Sequence, residues 1–268
     1  MPTISPQSVV DPKANIADDV EIGPFCVVGP DVTLGAGCRL LSHVVVTGHT
    51  TVGANNSFFP TSVIGAVPQD LKFKGSTTKL EIGDNNVIRE AVTLHLGTEK
   101  GGGVTRIGSN NLLMVNCHVG HDVQIGNRCI IANNVMFAGH VVVHDGANIA
   151  GGAAFHHFVT VGTFAYIGGY SRVHHDVPPF VIVDGKDKIR GLNVVGLRRN
   201  GFSLEDVSQL EEAVRTLFPR RGKRAFNSVL DQFDLQNGIN PHVREMIEFL
   251  QRRNLGKHGR YLESQRGK

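Results

Sequence analysis

Residues 107–131 read IGSNNLLMVNCHVGHDVQIGNRCII, and in them a large aliphatic residue returns every six positions: Ile107, Leu113, Val119, Ile125 and Ile131. Downstream the period continues through Phe137, Val143, Ile149, Phe155, Val161 and Ile167 to Val173. Upstream it runs from Ile4 through Val10, Ile16, Ile22, Val28, Leu34, Leu40, Val46, Val52 and Phe58 to Ile64, and it returns at Ile82, Ile88 and Leu94. Six fits neither an α-helix, at about 3.6 residues per turn, nor a lone strand, at about 2. It fits a solenoid of short strands and turns, three hexapeptides closing one 18-residue triangular coil. The aliphatic side chain points inward. Four residues later comes a small residue that fills the tapering interior, such as Val20, Cys26, Val32, Cys38, Cys117, Cys129, Ala153 or Ala165. The residue just after the aliphatic one is often glycine, as at Gly23, Gly120 and Gly168, and is read as the backbone freedom that a corner needs.

The expected class is mainly β: a parallel β-helix of hexapeptide repeats over 1–189, then a small α-helical C-terminal domain over 190–268. Two stretches break the repeat. Residues 66–79 (AVPQDLKFKGSTTK) keep neither spacing nor glycine placement, and such an excursion from a regular scaffold is expected to line a site. Residues 97–106 (GTEKGGGVTR) shift the register by one and carry no functional expectation. The repeat ends near Val173–Asp176, before Pro178–Pro179. Helices are expected at about 203–218, capped by Ser203 with Glu205 and Asp206 in the first turn, at about 223–233, and from Asn240–Pro241 to about 253. The polar tail from Leu255 is expected to fray.

Composition agrees with this fold: 32 Gly, no Trp and 6% aromatic residues suit many short turns. No apolar run approaches the roughly 18 residues of a membrane helix, and Met1–Asp11 lacks the parts of a signal peptide, so a cytoplasmic protein without a transmembrane segment is expected. All four cysteines fall on the small inward position, where a thiol acts as a small hydrophobe. The net charge of +3 is uneven. Residues 190–268 carry 15 Lys+Arg against 9 Asp+Glu, and the rest 12 against 15. A basic end on an acidic body fits either an acidic partner or a solvated helical face.

Eleven of the 13 histidines precede residue 176. Six gather late in the repeat: His118, His121, His140, His144, His156 and His157. His121 and His157 are two full coils apart, and His140 lies one coil and one residue beyond His121, so all three fall near one edge. Three readings follow. The histidines could hold zinc, as in γ-class carbonic anhydrases. They could satisfy turn carbonyls, notably His144. Or one could be a general base, since imidazole titrates near neutrality and Asp122 follows His121 directly. Neighbours on a strand point to opposite faces, so that pairing requires a corner position. No GxSxG or phosphate-loop pattern is present and no cysteine lies outside the core, which points to direct attack by a substrate hydroxyl or amine.

His118-Val119-Gly120-His121-Asp122, preceded by Asn111-Leu112-Leu113-Met114, resembles the UDP-N-acetylglucosamine O-acyltransferase family. So do Pro68-Gln69-Asp70-Leu71-Lys72-Phe73, Ile88-Arg89-Glu90, Thr93-Leu94-His95, Gly139-His140, Asp176-Val177-Pro178-Pro179 and Gly196-Leu197-Arg198-Arg199-Asn200-Gly201-Phe202. The likeness spans nearly the whole chain. It implies a left-handed β-helix, a homotrimer with active sites between subunits, no cofactor, no metal and no nucleic-acid partner. It implies transfer of a (3R)-3-hydroxyacyl group from acyl carrier protein to the 3-hydroxyl of UDP-N-acetylglucosamine, the first step of lipid A synthesis. His121 is then the base, Asp122 its orienting partner and the Gly139 N–H the oxyanion donor. Gln69, Asp70, Lys72, His95 and His118 are implied for the sugar, phosphates or acyl hydroxyl, and His140, His156 and His157 for the nucleotide and acyl path. Gly169 matches the position that measures acyl length, and Asn193, Arg198 and Arg199 are implied for the carrier's phosphopantetheine. Three positions depart from the common pattern: His157, Val195 and Asn200. Relatives acting on a 3-amino sugar, which form an amide, are the alternative within the class. A repeat that begins at Ile4 is expected to leave no room for the separate N-terminal uridine-binding domain of another N-acylating family.

Overall fold

The computed structural model describes residues 1–219, 230, 233 and 239–266. Short strands, most of two residues, stack into three sheets of 11, 9 and 8 strands, parallel except for the last strand of the largest, one on each side of a left-handed triangular prism. Successive coils bond directly over one another, as when the His118 N–H donates to Val135 O (2.9 Å) and the Gly120 N–H to Phe137 O (3.0 Å). The six-residue period therefore places every periodic aliphatic in one of three columns. Phe58, Ile64, Leu94, Val119 and Phe137 are fully buried, with Cys26, Cys38, Cys117 and Cys129 between them. Phe137 and Phe155 stack at 4.9 Å between ring centroids. The small-residue column also carries Asn56, Asn86 and Asn111, which bond to one another and to turn carbonyls and so leave no amide unpaired.

The corner glycines act differently from the expectation. At most corners the positive-φ residue lies three places after the aliphatic one; glycine takes it at Gly37, Gly146 and Gly152, but more often a side chain does: Asn110, Asn116, Asp122, Asn134, His140 and Phe158 all have φ between 60° and 67°. Asn and Asp tolerate this region best. The glycine just after the aliphatic residue has ordinary φ at most corners, Gly65 (φ 80°) being an exception. What demands glycine there is the next coil: a Cβ on Gly35 would lie 2.6 Å from the Gly53 carbonyl.

Beyond the last coil a hairpin pairs Val181–Asp184 with Lys188–Leu192, followed by a short helix, Val194–Arg199, neither of which the sequence reading anticipated. The helix Leu204–Leu217 starts in a full capping box, Ser203 with Asp206, and Pro241–Asn254 starts on the Asn240 side chain, as expected. The helix expected at 223–233 lies outside the described residues except for Leu230 and Phe233. As far as Arg266 the tail is anchored rather than frayed. Arg260 is 7% exposed and donates to His174 O, and a 3-10 turn follows at Leu262–Gln265. No helix among the described residues is long and apolar enough to cross a membrane.

Candidate active site

His121 and Asp122 occupy the turn after Val119, with Asp122 at φ 61°. That left-handed residue swings its side chain back beside its neighbour, so two consecutive residues face one point. His121 Nδ1 is 2.8 Å from Asp122 Oδ2. The carboxylate is almost wholly buried and firmly held. The Thr98 N–H donates to Oδ1 (2.8 Å), the Thr98 hydroxyl donates to Oδ2 (2.6 Å), and the Asp122 N–H donates to the Thr105 hydroxyl (2.8 Å). Burial pushes the Asp122 carboxyl up, but the hydrogen bonds from His121 and Thr98 and the nearby His140 outweigh it and hold the pKa below the ordinary value. With Nδ1–H donated to a carboxylate, Nε2 is left as the basic nitrogen.

Gly139 stacks one coil above His121, and a Cβ there would come within 2.6 Å of Nε2. Glycine is thus required for the ring to occupy its place. Among the described residues nothing accepts the Gly139 N–H. Asp122, His140 and Phe158 form a second column at the left-handed position. The His140 ring meets His121 edge-on at 5.0 Å and lies parallel on Phe158 at 4.4 Å. His140 Nδ1 is 3.8 Å from Asp122 Oδ2, yet burial dominates and lowers its pKa.

Below this point the rings of His95 and His118 meet at 5.1 Å. His95 Nδ1 bonds to Val67 O (2.8 Å) and His118 Nδ1 to the Thr93 hydroxyl (2.9 Å). Burial is the main cause lowering both pKa values, which favours neutral imidazoles. His157 is lowered chiefly by burial too, then by His156, whose Nδ1 lies 3.1 Å from His157 O.

The other expected site residues lie apart from the dyad in one chain. Gln69 and Lys72 are exposed, and the Asp70 carboxylate accepts the Lys72 N–H in a local turn (2.9 Å). Gly169 is exposed with no left-handed backbone. Asn193 caps Val194–Arg199 and donates to Phe164 O (2.9 Å), while Arg198 and Arg199 are exposed in the helix's last turn. His144 meets the Phe249 ring edge-on at 6.4 Å, a packing contact with the last long helix. Sequence reasoning missed Thr98 and Thr105. Both lie on the 97–106 excursion, and its register shift together with the run Gly101–Gly103 was the available signal: a Cβ on Gly101 would strike the Asp122 carboxylate.

His121, Asp122 and His140 also offer ligand atoms within 4.8 Å of one another. Asp122 Oδ2 already faces the Thr98 hydroxyl and His121 Nδ1, however, so a metal there must compete with both bonds.

A family model described as UDP N-acetylglucosamine O-acyltransferase, domain 2, matches residues 176–259, and a bacterial transferase hexapeptide model matches 13–48 and 105–139. Among solved structures, the chain is similar to LpxA, a UDP-N-acetylglucosamine acyltransferase from Bacteroides fragilis 9343. The two are 37% identical over 93% of this chain and 97% of that one, with a TM-score of 0.88. LpxA from Acinetobacter baumannii is 42% identical over 91% and 96%, with a TM-score of 0.85. The UDP-N-acetylglucosamine acyltransferase of Francisella novicida is 34% identical over 93% and 91%, with a TM-score of 0.88. With likeness of this extent across coil and helices alike, the chain belongs to the UDP-N-acetylglucosamine O-acyltransferase family.

Proposed function

We propose that the protein transfers a (3R)-3-hydroxyacyl group from acyl carrier protein to the 3-hydroxyl of UDP-N-acetylglucosamine, opening lipid A synthesis. The observation that carries the chemistry is the His121–Asp122 pair set against Gly139. His121 Nε2 takes the proton as the sugar oxygen attacks the thioester carbonyl. The Gly139 N–H donates to the oxyanion of the tetrahedral intermediate. Collapse breaks the carbon–sulfur bond, and the departing thiolate takes the proton back from His121, giving ester and free carrier. Asp122 keeps Nδ1 protonated and stays ionised throughout. No enzyme nucleophile is needed, and the four cysteines are buried away from this point.

The assembly in this reading is a homotrimer in the cytoplasm with each site between two subunits. A fully exposed Leu71 at the tip of the 66–79 loop and a half-exposed Met136 beside His118 support it, since both put apolar side chains where a neighbour could cover them. Gln69, Asp70 and Lys72 then serve the site of the adjoining subunit. His118, His140, His156 and His157 line the substrate path, Gly169 leaves room for the acyl chain, and Asn193, Arg198 and Arg199 meet the donor.

Mass spectrometry of the product from UDP-N-acetylglucosamine and a panel of 3-hydroxyacyl carrier proteins tests the reading, and also separates ester from amide. A His121→Ala protein should lose about a thousandfold in rate. Near-full transfer by that variant sinks the mechanism. The proximity of His121, Asp122 and His140 favours a second reading, a zinc enzyme, which stoichiometric zinc in protein purified without added metal would support.

A further inference from the structure

The C-terminal tail is built onto the end of the coil. Asp176 closes the last coil, beside the Val177 that bridges Val161. It accepts N–H bonds from Thr160 and Tyr261 (2.7 Å each), and its own N–H donates to Gly259 O (2.8 Å). Arg260 is anchored by His174 O at 2.7 Å and pairs with Glu263 at 3.4 Å. The turn Leu262–Gln265 then brings Arg266 back over the site edge, its guanidinium carbon 5.5 Å from the Phe158 ring centroid. Phe158 lies flat on His140, and His140 stands against His121. A cation carried by the tail thus ends two rings away from the proposed base.

That guanidinium is not consumed by the fold. Its side chain is 59% exposed, and its contact with Glu263 is 3.4 Å long, to a carboxylate shared with Arg260. The neighbouring groups are imidazoles rather than further acids. Burial is the main cause lowering the pKa of His140 and His157, and Arg266 adds to both shifts. A fixed cation beside neutral imidazoles makes an electropositive rim with donors left over, the arrangement that receives an anion. The aromatic face beneath holds the planar guanidinium in place.

We propose that Arg266 recognises a phosphate group of a substrate at the rim of the acyl-transfer site, delivered there by the C-terminal strap. The inference rests on the function proposed above, in which both substrates carry phosphate: a diphosphate on the nucleotide sugar and a phosphodiester on the donor's phosphopantetheine. The chemistry is shared, a charge-assisted bond from a fork of N–H donors to phosphate oxygens.

Steady-state kinetics on full-length Arg266→Gln and Arg266→Lys, varying each substrate separately, tests it. The glutamine variant should raise KM for one substrate about tenfold, with a smaller change in kcat, and lysine should restore part of the loss. A rise confined to UDP-N-acetylglucosamine assigns the diphosphate, and one confined to acyl carrier protein assigns the phosphopantetheine; either supports the proposal. Both KM values unchanged, or a loss purely in kcat with a displaced pH profile, overturns it. Wild-type protein that forms no product refutes the function instead, a failure visible before any variant is compared. Calorimetric titration with UDP and with acyl carrier protein still reads Arg266 in that event, and equal Kd values for wild type and variant with both probes overturn the assignment.

Discussion

Replacing Thr98 by valine removes one hydroxyl and little volume, and its effect can be worked from the geometry around Asp122. The buried carboxylate loses the 2.6 Å bond from the Thr98 hydroxyl but keeps the Thr98 N–H on Oδ1 and His121 Nδ1 on Oδ2. A hydrogen bond to a charged, buried acceptor contributes about 2 kcal/mol. For a chain of this size that corresponds to a fall of about 4 °C in melting temperature. Catalysis should suffer separately. Removing the carboxylate from such a dyad costs about 10⁴ in rate, which is the ceiling. Here one oxygen stays pinned, so the expected loss is about tenfold in kcat, or about 1.4 kcal/mol of barrier. KM for both substrates should hardly move, because Thr98 contacts the base's partner rather than a ligand. Thr98→Ser keeps the hydroxyl and should stay near wild type. Calorimetric melting and product formation measured on the same preparations check both parts. A folded Thr98→Val protein with wild-type kcat and melting temperature would refute the reasoning that this hydroxyl steadies the dyad.

Three further outcomes follow from particular contacts. Gly139→Ala places a Cβ within 2.6 Å of His121 Nε2 and should cut kcat more than a hundredfold by displacing the ring, with circular dichroism unchanged; wild-type turnover contradicts the stacking argument. Burial pushes the Asp176 carboxyl up to about 6, so between about pH 4 and pH 6 the folded chain binds a proton that the unfolded chain has released. This contribution is full at low pH and lost as pH rises to about 6, worth at most about 3 kcal/mol; urea midpoints of wild type and Asp176→Asn should therefore differ by a pH-dependent gap, and a constant gap counts against it. Burial pushes Cys117 up to about 11 and Cys129 up to about 12, so neither should react with a thiol reagent until the chain unfolds; rapid labelling of the native protein at either position argues against the interior assignment.

Much of the scaffold was legible because one column of side chains repeats at a fixed interval. Ile107, Leu113 and Val119 announce a coil before any contact is known, since only stacked coils bury every sixth residue. The caps at Ser203 and Asn240 were equally local, each a single side chain serving the N–H groups beside it. Thr98 was not legible, because its partner lies 24 residues on and an insertion breaks the register between them. The hairpin at 181–192 and the anchored tail were missed for a similar reason: what orders them is the end of the coil, not their own pattern. The helix expected at 223–233 lies outside the described residues except for Leu230 and Phe233.

By itself the sequence determined the repeating coil, the inward cysteines and the gathering of His121, His140 and His157 at one edge, because a fixed period converts chain distance into spatial register. Tertiary structure alone decided that His121 and Asp122 face the same point, that Gly139 is glycine to admit an imidazole, and that Arg266 ends beside Phe158. The physical reason is the same in each case. A backbone in the left-handed region, the close approach of the next coil and a buried carboxylate gripped from a distant loop are relations between segments, and a local pattern of residue types does not encode them.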